Sequence, residues 1–219
     1  QKSSLSLILL FALRDLRGGI RGFGIFIACI AIGVAAITAV AAVSRGLTDS
    51  LAREGRVILG ADVAFVTLQR EANAEEALWL KSQGIVTPVA YLRAMVRADN
   101  GDSALVEGKS VDGRWPMHGQ AVTQPAAPIA DLLAEKDGTF GAIADPLLFA
   151  RLNLKTGDSV TIGDRRFQLR AELLSEPDKL AGGVGFGPRL LLSEAGLRAS
   201  GLLQPGSLVR WSYRITLPD

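Results

Sequence analysis

The stretch that decides the architecture is GFGIFIACIAIGVAAITAVAAV, Gly22 to Val43, 22 consecutive uncharged residues without a proline. As a helix rising ~1.5 Å per residue it spans roughly 33 Å, enough to cross a hydrocarbon core of ~30 Å. Gly33 and the run's many alanines are small, as at positions where membrane helices approach one another. Charge sets the direction. Lys2, Arg14, Arg17 and Arg21 stand against Asp15 before the run, whereas residues 44–219 are net negative in a chain of net charge +2. The excess of cations at the N-terminal flank predicts a cytoplasmic N-terminus and an extracytoplasmic location for residues after about 44. A cleaved leader with its site at Ala39-Val40-Ala41 is the alternative, although this apolar run exceeds the ~7–15 residues of such leaders.

Working outward toward the N-terminus, Leu5, Ile8, Leu9, Ala12, Leu13 and Leu16 recur at helical spacing, with Arg14, Asp15 and Arg17 on the other side. Residues 1–19 therefore read as an amphipathic helix lying on the membrane surface, broken at Gly18-Gly19. Residues 20–60 read as the transmembrane helix with a stalk, through Leu47, Leu51 and Ile58, stopped by Gly60.

Residues 61–219 read as an extracytoplasmic α+β domain. Asp62–Leu68 is a strand, Asn73 caps a helix that Gly84 stops, and Ile85–Ala98 and Ser103–Val111 form a hairpin across Asn100-Gly101. After a loop rich in Pro, Gly and Ala come a strand at Phe140–Ile143 and a helix capped by Asp145 with Pro146 at its first position. A second hairpin, Val160–Ile162 with Phe167–Leu174, precedes the glycine-rich run Gly182-Gly183-Val184-Gly185-Phe186-Gly187. A strand at Leu190–Leu192, a helix at Glu194–Ser200 and a last strand at Ser207–Leu217 follow. The last helix and strand return to complete a split β-α-β unit over 61–130 and 190–219, with a β-rich insertion at about 140–190.

Composition removes much chemistry. One cysteine excludes an intramolecular disulfide or a Cys-rich zinc site, and one histidine excludes a multi-His metal site. The near-balanced charge argues against nucleic acid as a partner. The glycine run lacks the Lys-[Ser/Thr] of a phosphate loop and is followed by Pro188-Arg189 and a strand, so it reads as a surface loop. Gly-Asp-Ser at 101–103 and 157–159 would need His118 as the base of a serine nucleophile; both tripeptides fall at hairpin turns, where turn chemistry accounts for them. The scattered acids, among them Glu71, Glu107, Glu176 and Asp178, read as a solvated surface. No catalytic, cofactor-binding or metal-ligating residue is assigned, and the chain is not read as an enzyme.

Several segments in order resemble the permease subunits of MacB/FtsX-like ABC transporters, and within them a subgroup of large permeases. These are Ala104 to Asp112 followed by Trp115-Pro116-Met117-His118-Gly119, Arg151 to Gly163, Glu176-Pro177-Asp178, Gly187-Pro188-Arg189 and Gly201 to Ser207. The resemblance implies a mechanotransmission subunit of the bacterial inner membrane. Its partners would be a cytoplasmic ATPase that carries the ATP and Mg²⁺, a second permease half or dimer mate, membrane lipid, and an extracytoplasmic lysophospholipase or thioesterase. Its cargo would be hydrophobic or lipid-like. Such permeases have at least four spans, so the chain is expected to be the N-terminal part of one. Trp115, Pro116, His118, Gly182, Gly183, Gly185, Phe186, Gly187 and Arg189 are the expected contact-loop residues. A single-pass anchored adaptor or sensor without an ATPase is the rival reading, and a tethered esterase using Ser103 or Ser159 the third.

Overall fold

The computed structural model describes residues 2–179 and 187–218, and within the first helix the side chains of Phe11, 23–48, Gly55 and Leu59. The chain falls into two units, Gln1–Arg53 and Glu54–Asp219.

The first unit is helical. Helix α1 runs from Lys2 to Leu59 without interruption, so the expected break at Gly18-Gly19 does not occur. A glycine inside a helix costs only about 1 kcal/mol relative to alanine, and the flanking leucines, isoleucines and arginines are good helix formers. Phe23–Thr48 is long and apolar enough to cross a membrane. Its large apolar side chains, from Phe23 to Leu47, are exposed, as lipid-facing residues are. Thr38 and Thr48 return their hydroxyls to the carbonyls of Val34 and Ser44, which satisfies these two donors within the helix.

The second unit is a mixed α+β domain. Gly60, at φ +70°, ends α1 in the left-handed conformation that stops helices. The elements that follow are β1 (Val63–Leu68), α2 (Ala74–Gln83), β2 (Ile85–Ala98), β3 (Ser103–Val111), β4 (Val122–Gln124), α3 (Ile129–Leu133), β5 (Glu135–Lys136), β6 (Thr139–Ala144), α4 (Pro146–Leu152), β7 (Ser159–Ile162), β8 (Arg165–Ser175), β9 (Arg189–Ser193), α5 (Glu194–Ala199) and β10 (Arg210–Thr216). Asn73 caps α2 by accepting from Glu76 N while the Glu76 carboxylate accepts from Asn73 N, a reciprocal capping box. Asp145 caps α4 with Pro146 in the first turn.

Strand β10 lies antiparallel between β1 and β2, which α2 connects, so these elements form the expected split β-α-β unit. Strand β2, at 14 residues, is long enough to serve two neighbours on one edge. Thr216 to Arg210 pair with Ile85 to Tyr91, and β7 takes over at Val96–Ala98. From there the pairings β2-β3-β9-β6-β8-β7 return to β2, closing a six-stranded ring. The β-rich part therefore extends beyond 140–190, borrowing β2 and β3 from the split unit. Closure removes the edges those strands would otherwise present.

The ring is narrow and its interior shows it. Ala94, Ala98, Ala104, Ala142 and Ala144 alternate with Val96, Val106, Val160, Ile162 and Phe167, and α4 adds Leu148, Phe149 and Leu152 to the same cluster. On the split unit, Leu80 of α2 and Leu197 of α5 pack on Leu92, Trp211, Tyr213 and Ile215. The opposite sheet face carries Val89, Tyr91, Val111, Ile143 and Leu191 beneath Trp115 and Leu132–Leu133 of α3. Strand β8 contributes to two clusters because its register against β6 shifts between Ala142 and Ile143, which pair with Leu169 and Ala171. Arg170, the extra residue, reaches the carbonyls of Ala134 at 2.6 Å and Thr139 at 3.1 Å and so ties α3 to the sheet.

Candidate functional site

The most unusual chemistry in the domain is a buried ion network. Lys109, fully buried on β3, donates to Glu176 at 2.8 Å and Asp178 at 2.7 Å. Arg189, at the start of β9, donates to the other Glu176 oxygen at 2.8 Å and lies 3.6 Å from Glu107. Arg214 of β10 donates to Asp178 and to the Tyr91 hydroxyl, and Trp115 donates its indole N–H to Asp178 at 3.3 Å. The Lys109 ammonium lies 4.2 Å from a Trp115 ring centroid. Four strands, the segment around Trp115 and the segment 176–178 thus meet on one set of charges.

The register explains the assembly. Tyr91, Lys109 and Leu191 are neighbours across β2, β3 and β9, and Arg210 stands opposite Tyr91, so these side chains share one sheet face. Burial draws the Lys109 ammonium below its ordinary range against the pull of Glu176 and Asp178. Burial alone would raise the Asp178 carboxyl; Lys109 and Arg214 outweigh it and hold the group below the usual carboxylate range. The Tyr91 phenol is pushed up to about 12, chiefly by burial, so it stays a neutral acceptor for Arg214. Such a cluster holds only while complete, because removing one member strands a charge in a low-dielectric interior.

Among the expected contact residues, the structure brings Trp115 and Arg189 together through this network. Trp115 is buried rather than presented to a partner, and Arg189 is 7% exposed. Pro116 and His118 are half-buried, and His118 Nε2 is a buried atom without a hydrogen-bond partner. Gly187 lies along β3, where an added Cβ would stand 3.1 Å from the Leu105 carbonyl oxygen. Gly182, Gly183, Gly185 and Phe186 lie outside the described residues.

Glu176 and Asp178, read as solvated acids, are 7% and 1% exposed and serve as the counter-charges of the network. Lys109, Arg214 and Tyr91 carry no site motif in the sequence. The available signal was local: a lysine on a strand followed directly by Ser110 and Val111, opposite a strand of near-continuous apolar residues. Ser103 and Ser159 open β3 and β7, and no hydrogen bond among the described residues joins either to His118. No group of three or more His, Cys, Asp or Glu among the described residues could hold a metal ion.

No family model matches the chain. In sequence it is similar to the ABC transporter permease YbbP of Escherichia coli K12, 28% identical over 188 residues, which is 84% of this chain and 22% of that protein. The chain therefore spans about a fifth of that relative's length. In structure it is similar to the extracellular domain of the noncanonic ABC-type transporter YknZ from Gram-positive bacteria, with a TM-score of 0.45 at 14% identity over 66% of this chain and 73% of that one. It is also similar to the periplasmic region of MacB from Actinobacillus actinomycetemcomitans, with a TM-score of 0.40 at 12% identity over 67% and 66%. The curated relative is an ABC transporter permease, and such permeases are not themselves enzymes.

Proposed function

We propose that the chain is the first membrane span and the extracytoplasmic domain of an ABC transporter permease. Its work is to pass the movement of α1 to the sheet domain when a partner ATPase cycles. The observation that carries this reading is similarity to a permease over 84% of the chain, a stretch too long to leave out either the whole of the apolar helix or most of the sheet domain. The cationic N-terminal flank supports a cytoplasmic start and an extracytoplasmic domain. In this reading ATP and Mg²⁺ are held by a separate cytoplasmic ATPase, a second permease half or dimer mate completes the subunit, and a hydrophobic or lipid-like cargo or an extracytoplasmic lysophospholipase or thioesterase is what the domain handles.

The test is topology with partnership. In a Cys29→Ser background, a cysteine placed at Leu78, 70% exposed on α2, is treated in intact cells whose outer membrane has been permeabilised with a membrane-impermeant maleimide. Labelling without disrupting the inner membrane, together with co-purification of an ABC ATPase, supports the reading. Labelling only after inner-membrane disruption contradicts it.

A further inference from the structure

We propose that the open edge of β1 takes up an extended segment of a partner protein as an added strand, which lays an aromatic side chain in the groove beside α2 and a basic one at Glu75. Strand β1 ends the sheet, and among the described residues only β10 pairs with it. Gln69 N donates to the Val209 carbonyl at 2.8 Å, in step with that register. Backbone groups alternate sides along a strand, so those of Val63, Phe65 and Thr67 turn to β10 and those of Ala64, Val66 and Leu68 turn to the open edge. Val63–Leu68 is six residues, an ordinary strand length, with no charged residue and no proline. Edges that must stay unpaired are blunted by such residues; this one is left able to pair. A row of free backbone donors and acceptors is matched by another strand rather than by a small molecule.

The side chains beside the edge set the partner's chemistry. On the α2 face, Phe65 and Trp79 meet edge to face with ring centroids 5.2 Å apart, and with Thr67, Leu80 and Tyr213 they line a groove of about 550 Å³. On the other face, Val66 and Leu68 are 52% and 68% exposed. An added strand alternates its side chains between the two faces and covers both at once. The charged residues of the groove are Arg70, Glu75 and Glu76. Arg70 and Glu76 hold each other through two hydrogen bonds of 2.6 and 2.7 Å. Glu75 is exposed and has no hydrogen bond or ion pair among the described residues, so the groove keeps one uncompensated negative charge. An apolar strand with a lysine or arginine two positions from an aromatic residue complements it.

The inference goes beyond the permease reading and does not depend on it, since binding is measured without an ATPase. The full chain in phosphatidylcholine nanodiscs is titrated into fluorescein-labelled acetyl-Thr-Lys-Val-Phe-Val-Thr-amide, and anisotropy is followed, with empty nanodiscs as the blank. Saturable binding is expected. N-methylation of the two valines, or of the lysine and phenylalanine, separates the two sets of backbone donors. One set should lose about fivefold or more in affinity and the other should not, because only one set faces β1. Val66→Pro removes a donor that points to the open edge and leaves the β10 ladder whole, so it should weaken the probe about fivefold or more. Glu75→Gln, at an exposed position, should weaken it about twofold or more, as should glutamate in place of the probe's lysine. Both variants should keep the wild-type circular dichroism spectrum; if Val66→Pro does not, Glu75→Gln and the methylated probes still decide. Absence of saturable binding, loss with both methylated probes or with neither, or wild-type affinity in Glu75→Gln would overturn the proposal. A disulfide between two copies carrying Val66→Cys in a Cys29→Ser background, with no probe binding, would give the edge to a second copy of this chain and overturn it as well.

Discussion

Gly60 and Arg214 stand so close that a Cβ on Gly60 would lie 2.6 Å from Arg214 Nη1, and 3.2 Å from Asp178 Cβ. The residue that ends α1 therefore sits directly against the buried ion network, with no side chain between them. The chain leaves the domain beside the same point: Leu217 N donates to Asp62 Oδ2 at 3.0 Å, and Val63 pairs with Ile215. In the permease reading, this is where a displacement of the helix end reaches the buried charges of Asp178 and Arg214.

Gly60→Ala should therefore destabilise the domain by about 1–3 kcal/mol, through its positive φ and its crowding of Arg214. Gly55→Ala is the control. Nothing lies within 4 Å of its Cβ position inside α1, so it should be neutral or stabilising by up to ~1 kcal/mol. Urea midpoints of the two variants check both.

Lys109→Met should cost about 3–5 kcal/mol, because Glu176 and Asp178 lose the cation between them. Tryptophan fluorescence should report the change, since Trp115 lies against the lysine. A loss under 1 kcal/mol would show that the network is not the keystone of this face.

Acid should weaken the fold through Asp178. Its folded carboxyl is held below the unfolded value of 3.8, so its stabilisation is complete above that value and is lost as pH falls through the lower folded one. Urea midpoints should fall as pH drops below about 4, and Asp178→Asn, though less stable at pH 7, should show a shallower fall. Equal slopes in the two proteins would contradict this.

Asn73→Ala should cost about 1 kcal/mol, since it removes the side-chain half of the capping box of α2. Thermal unfolding measures it, and helix α2 should lose amide-exchange protection first.

Much of this was legible because it is local. The apolar run at 22–43, the Asn73 and Asp145 caps and the turn at Asn100-Gly101 are each encoded within a few residues, and the structure places each where periodicity and turn chemistry put it. In the turn, Ala98 and Asp102 bond across a three-residue loop in which Gly101 takes φ +92°. What was not legible is non-local. Lys109 and Glu176 are 67 positions apart, and nothing near Glu176-Pro177-Asp178 announces that a lysine of another strand will bury them. Ring closure was hidden for the same reason, since β7 reaches β2 across more than 60 positions. The short α3 and β4 have no sequence signature of their own, because they lie in a loop rich in proline and glycine and are held by Arg170 and β8 rather than by their own pattern.

In the permease reading the sheet domain moves with the ATPase cycle. The intact gene product, with Cys29→Ser and nitroxide labels at Val43→Cys and Leu78→Cys, both strongly exposed positions, is reconstituted with its ATPase. The distance distribution between the labels is then compared without nucleotide and with ATP–vanadate. The account predicts a shift between the two states; identical distributions in a complex that hydrolyses ATP would contradict it.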